Sequence, residues 1–197
     1  MNSYVSDDGE EGFPGTVLAT VLYSLTEDNT VLVRMTARTD EATPINMANH
    51  AYYNLAGHTS GSHRGLYNHV VTIRAPWYTP VNAELIPTGD INPVLGTMFD
   101  LTKGVRLGNV INSIPGPTPE NNGYDHNFAI ARYWYMFVII CISILVCRKF
   151  EDRMRLISIV EYPKKMRKMK IYSNQPGVQF YTGNFLPRNG MIGKVQG

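Results

Sequence analysis

Period-two alternation of apolar and polar positions dominates the first 130 residues, and helical spacing is nearly absent there. Residues 16–24 (TVLATVLYS) are β-branched and apolar. Residues 31–37 (VLVRMTA) alternate, placing Val31, Val33 and Met35 on one face. Between them Glu27-Asp28-Asn29 predicts a hairpin turn. Residues 69–75 (HVVTIRA) predict another alternating strand, and residues 78–81 and 84–89 short extended pieces bounded by Pro and Gly. Residues 99–107 and 111–124 read as loops. Residues 168–173 and 178–181 predict strands again. Many short strands at close spacing predict an all-β protein, a sandwich or barrel with antiparallel pairing.

One stretch breaks this rhythm. Residues 133–147 (YWYMFVIICISILVC) hold only Ser143 as a clearly polar side chain, and basic residues flank the run. It is short of the roughly 17–25 apolar residues of a spanning helix and long for a strand. Three readings stay open for this insert near 132–151: a membrane segment, a buried strand or strand pair, and translated non-coding sequence.

Composition narrows the class. The chain has 197 residues, enough for one substantial core and too few for two ordinary ones, and is read as a single domain over 1–197. Its 12 tyrosines, 17 glycines and 12 prolines suit a β-rich domain with many turns. A net charge of +2 gives no reason to propose nucleic acid as a partner. The two cysteines, Cys141 and Cys147, share the apolar run and form no disulfide framework. The first 15 residues are polar and acidic, unlike a signal peptide, so the expected location is cytoplasmic.

Three segments gather polar, aromatic and glycine residues where a core would not need them. In residues 46–57 (NMANHAYYNLAG), His50 stands among Asn49, Tyr52, Tyr53 and Asn54. A histidine can donate a proton near neutral pH, and amides and phenols hydrogen-bond sugar hydroxyls. A structural histidine at a strand end is the plainer reading. In residues 122–128 (NGYDHNF), Asp125 sits at a loop–strand junction, where a carboxylate can accept two hydroxyls, orient a histidine, or simply cap a turn. In residues 175–185 (QPGVQFYTGNF), Gln179 and Tyr181 share one strand face and Phe180 takes the other. Gln179 is then either a cleft residue or a solvent-facing amide. His58 and His63 have no carboxylate or cysteine at ligand spacing, so no metal is expected. The basic run over 164–170 (KKMRKMK) reads as a solvated turn leading into a lysine-protected edge strand.

Taken together, NHAYYNLAG, GYDHNF and QPGVQFYTGNF resemble the signature blocks of the galactose mutarotase, or aldose 1-epimerase, family, in that family's order. DGEEGFPG, ATPIN and LIPTG support the match, which covers residues 8–130 and 168–187. The resemblance implies a large antiparallel β-sandwich, the mutarotase supersandwich, with a sugar site in a cleft on one face. It implies an isomerase that interconverts the α and β anomers of free hexoses such as galactose and glucose. An acid protonates the ring oxygen, a base takes the C1 hydroxyl proton, and the opened ring recloses on the other face. Proton transfers suffice, so no cofactor is expected. Carried over by motif, His50 is the general acid. His50, Ala51, Tyr52, Asp125 and Gln179 are the sugar contacts. The family's Asn-Arg pair, its further histidine and its basic glutamate find no match, and neither does the apolar insert. The expectation is therefore a monomeric mutarotase-like chain, incomplete at both ends and impaired in turnover. A non-catalytic carbohydrate-binding sandwich is the alternative.

Overall fold

The computed structural model describes residues 1–57, 63–118, 121–130 and 154–186. The apolar insert lies outside the described residues. The chain divides into two compact units, Met1–Tyr53 and Asn54–Gly197.

The first unit is built on a three-stranded antiparallel sheet in the order β1 (Asn2–Ser6), β2 (Val17–Leu25), β3 (Val31–Thr39). The register pairs Val21 with Met35 and Ala19 with Ala37, so the expected hairpin forms around its turn. That turn closes through Thr26 N–H donating to Thr30 C=O at 3.0 Å, with Asn29 in the left-handed region at φ 63°. β1 is an addition to the expected strands. The acidic segment after it carries no β signal, but it folds back under local bonds. Gly15 N–H donates to Asp8 Oδ1 at 2.7 Å, and Thr16 N–H donates to Asp40 Oδ1 at 2.7 Å. Residues 42–53 follow without regular secondary structure.

Among the described residues the second unit holds two four-stranded antiparallel sheets. Its strands are β4 (Val70–Ile73), β5 (Trp77–Tyr78), β6 (Asn92–Pro93), β7 (Val105–Arg106), β8 (Asp125–Ala129), β9 (Arg155–Tyr162), β10 (Arg167–Ser173) and β11 (Gly177–Tyr181). The orders are β10-β9-β4-β7 and β11-β8-β5-β6. Val71 and Ile73 of the first sheet share one apolar cluster with Phe128 of the second. Val160, Val178 and Phe180 pack against it. This shared core is the sandwich expected from the strand pattern.

β9 is the largest departure from the sequence reading, which found no strand over 153–164. The structure places it second in its sheet, between β10 and β4. Its run RLISIVEY is apolar at most positions, as a strand covered on both faces requires. Its buried Ser158 is tolerated because Oγ donates to Thr72 C=O at 2.9 Å. The stretch over 99–107, expected as loop, contains the two-residue β7. Its brevity leaves no periodicity to read.

Candidate functional site

β8 and β11 position the site. They pair antiparallel with Gln179 opposite Asn127 and Tyr181 opposite Asp125. Side chains alternate along each strand. His126, Phe128 and Phe180 therefore turn toward the core, while Asp125, Asn127 and Gln179 turn the other way. His126 and Phe128 are buried, and Phe180 packs on the core cluster.

Asp125 stands at the loop–strand junction, as expected. It does not cap a turn. Its Oδ1 accepts a hydrogen bond from Gln179 Nε2 at 2.8 Å. The polar face of β11 is thus turned toward a partner on β8, and Gln179, although exposed, is no idle surface amide.

The strand end is locked from behind. Tyr124 N–H donates to Thr182 Oγ1 at 2.9 Å, Thr182 N–H donates to Tyr124 C=O at 3.0 Å, and Asn184 Nδ2 donates to the same carbonyl at 3.1 Å. The Tyr124 hydroxyl donates to Met98 C=O at 2.6 Å, and burial pushes its pKa up. Gly123 makes this possible. Its φ is +141°, and an added Cβ would stand 2.5 Å from Thr182 Oγ1 and against Asn184 Oδ1. The blocks GYDHNF and QFYTGNF are therefore two halves of one interlocked strand pair.

His126 lies one residue from Asp125, 7% exposed, with its ring 4.7 Å from that of Phe99. Its Nδ1 accepts from Asp125 N–H at 3.2 Å. Burial lowers its pKa, opposed in part by the Asp125 carboxylate.

Asp125, Asn127 and Gln179 open into a cavity of about 140 Å³. Thr79 adds a hydroxyl to its lining, and Val81, Leu85 and Pro87 supply an apolar wall. The loop carrying that wall is held by Asn82, whose Oδ1 accepts from Glu84 N–H at 3.0 Å and from Ile86 N–H at 2.9 Å. Leu85 sits at φ 65° within it, a costly conformation for a non-glycine residue that the loop enforces. The sequence reading omitted Thr79, Asn127 and the 81–87 wall. Asn127 had a legible signal, since it is two positions from Asp125 on a strand and so shares its face.

His50, Ala51 and Tyr52 belong to the first unit. They lie in an exposed irregular segment rather than at a strand end. Asn49 Oδ1 accepts from Ala51 N–H at 3.2 Å, and the His50 and Tyr52 rings lie 5.2 Å apart at 46°. The structure brings Asp125 and Gln179 into contact, and His50 into contact with Tyr52.

The chain continues from this segment into a backbone clasp in the second unit. His69, 4% exposed, accepts at Nε2 from Leu55 N–H at 3.0 Å. Its Nδ1 lies 3.1 Å from the carbonyls of Gly65 and Leu66, which fixes the proton on Nδ1. Lys165 Nζ donates to Ala56 C=O at 2.7 Å and Arg167 to Leu55 C=O at 2.9 Å. Two side chains of the basic run thus hold backbone, and a third, Lys168, pairs with Glu161 at 2.7 Å. Among the described residues no helix is long and apolar enough to cross a membrane.

The antiparallel sandwich thus presents a carboxylate–amide pair beside an apolar wall, the mixed polar and apolar lining of a small-molecule site. The family model described as aldose 1-epimerase matches residues 2–196. Human galactose mutarotase is 40% identical over 184 residues, which are 93% of this chain and 46% of that protein. Aldose 1-epimerase of Escherichia coli K12 is 34% identical over 184 residues, 92% of this chain and 46% of that protein. In fold, the chain is similar to galactose 1-epimerase of Lactobacillus acidophilus NCFM. The TM-score is 0.70 at 22% identity, over 95% of this chain and 48% of the other. A C. elegans aldose epimerase homologue gives 0.71 at 20% identity, over 93% and 48%. The chain belongs to the aldose 1-epimerase family. It spans just under half the length of the relatives it matches.

Proposed function

We propose that this chain serves the interconversion of α and β anomers of free hexoses, with galactose and glucose as substrates. The observation that carries the reading is the Asp125–Gln179 pair at the mouth of a cavity with one apolar side. A pyranose has the matching character, with hydroxyls around its rim and C–H groups on its faces. Asp125 accepts hydroxyl protons. Gln179 holds the carboxylate and offers its own amide oxygen. His50, with Ala51 and Tyr52 beside it, supplies the proton to the ring oxygen as the bond to C1 opens. A positioned acid of this kind contributes typically about 10²–10⁴-fold. No residue of this chain is assigned as the base that takes the C1 hydroxyl proton, so the expected rate enhancement stays below that of a complete acid–base pair. The protein is placed in the cytoplasm as a monomer. Its two cysteines offer no extracellular disulfide framework to argue otherwise.

The test is calorimetric titration with galactose, joined to polarimetry of freshly dissolved α-galactose. The reading expects hexose binding that Asp125→Ala removes, and acceleration of mutarotation over buffer that His50→Ala removes. Binding without acceleration would favour the carbohydrate-binding alternative. No hexose binding at millimolar concentration would overturn the reading.

A further inference from the structure

We propose that Asn127 is a further binding contact of the same sugar site, an amide donor that completes the hydrogen bonding of a hydroxyl held by Asp125. This rests on the reading of the cavity as a hexose site.

The inference begins with a count of donors. A carboxylate only accepts, whereas a sugar hydroxyl both donates and accepts. A hydroxyl that gives its proton to Asp125 leaves its own lone pairs in need of a donor. Gln179 cannot fully serve, because its Nε2 is already directed at Asp125 Oδ1 at 2.8 Å. Asn127 stands directly across from Gln179 and two residues along the strand from Asp125, and it lines the same cavity. Its side-chain amide has no hydrogen-bond partner among the described residues. Its backbone is fixed, since its C=O accepts from Thr79 N–H at 3.0 Å. An amide on a fixed strand, with no partner among the described residues and beside a carboxylate, suits a ligand that supplies an acceptor and a donor together, as a hexose with adjacent hydroxyls does.

Gly177 gives that amide its room. Gly177 pairs with Ala129, and a Cβ there would stand 2.6 Å from Asn127 Oδ1. Any larger residue at 177 would push the amide aside. The glycine of QPGVQF is thus explained by the side chain it faces, and it acts as a positioning residue through Asn127.

The experiment is NMR titration of the 197-residue chain with galactose, using Asn127→Ala, Asn127→Asp, Gly177→Ala and the double variant Asn127→Ala/Gly177→Ala, with Asp125→Ala as reference. Asn127→Ala is expected to weaken binding roughly 2- to 10-fold, the size of one neutral hydrogen bond. Asn127→Asp removes the donor, adds a like charge beside Asp125, and should weaken binding more than Ala does. Gly177→Ala should weaken binding in the parent and add nothing in the Asn127→Ala background, the signature of two residues acting through one contact. Unchanged affinity in Asn127→Ala, with loss in Asp125→Ala, overturns the inference and leaves the hexose reading standing. Equal affinity in Asn127→Asp also overturns it. A parent chain that binds no hexose overturns both.

Discussion

Gln179 donates its amide proton to the Asp125 carboxylate across the β8–β11 pair, 54 positions away in sequence and 2.8 Å away in space. One amide thereby holds the carboxylate at the mouth of the cavity, where the proposed function needs it. Replacing the donor by an acceptor of the same shape should turn this support into repulsion. Gln179→Glu would place two carboxylates at hydrogen-bond distance, where they cannot both ionise without cost and would share a proton. Hexose binding at neutral pH should fall roughly 10- to 100-fold, the scale of a hydrogen bond to a charged group. It should partly recover as the pH is lowered toward about 5, where the shared proton is taken up. Calorimetry at the two pH values checks this, and parent-like affinity at neutral pH would exclude a supporting role for Gln179.

The lock behind the strand pair should be the most sensitive point of the second unit. Gly123→Ala forces a side chain into a positive-φ position already occupied by Thr182 Oγ1 and Asn184 Oδ1. Neither neighbour can retreat without giving up its bond to Tyr124. The expected loss exceeds about 2 kcal/mol, combining backbone strain with overpacking. Urea unfolding measures it, and a loss below about 0.5 kcal/mol would show that the interlock is slack.

Much of this arrangement was legible in the sequence, and the missing parts have physical causes. Gln179 stands out because strand alternation sets it opposite in face to Phe180, and Asp125 because it sits where a long loop enters a strand; both lie where those readings put them. The β2–β3 hairpin was readable from its turn chemistry. β9 was not, because a strand covered on both faces has no alternation to detect, and Ser158 is satisfied only by Thr72, 86 positions away. Leu85 was equally hidden. Its left-handed backbone is imposed by Asn82, and nothing about a leucine announces it.

His126 should make stability depend on pH. In the unfolded chain its ring titrates near the ordinary 6.5, and in the folded protein burial holds it lower despite the neighbouring Asp125 carboxylate. Protons are therefore bound less readily by the folded state. The contribution is fully present above about 6.5 and is lost as the pH falls through the depressed folded value. Urea midpoints measured from pH 7.5 downward should decline over this window, and His126→Phe should flatten the decline. A flattened profile is the specific sign, because a general acid effect from carboxylates would survive the substitution. An identical decline in the variant would remove His126 as the cause.

The clasp on Leu55 and Ala56 combines a buried imidazole with two exposed cations. His69 is buried and its Nε2 is the acceptor for Leu55 N–H, so His69→Phe leaves that amide without a partner and should cost about 1–3 kcal/mol. Lys165 and Arg167 are both exposed, but Lys165 serves the carbonyl of the fully buried Ala56, whereas the Leu55 carbonyl served by Arg167 can turn to water instead. Arg167→Met should fall within about 0.5 kcal/mol of the parent, while Lys165→Met, which leaves the Ala56 carbonyl without its donor, should cost about 1 kcal/mol. Amide hydrogen exchange resolves the difference. His69→Phe should release protection at Leu55, only five residues along the chain from His50, while the two methionine variants should leave it intact. If Lys165→Met released Leu55 as fully as His69→Phe, the segment would be held chiefly by surface cations and not by the buried imidazole.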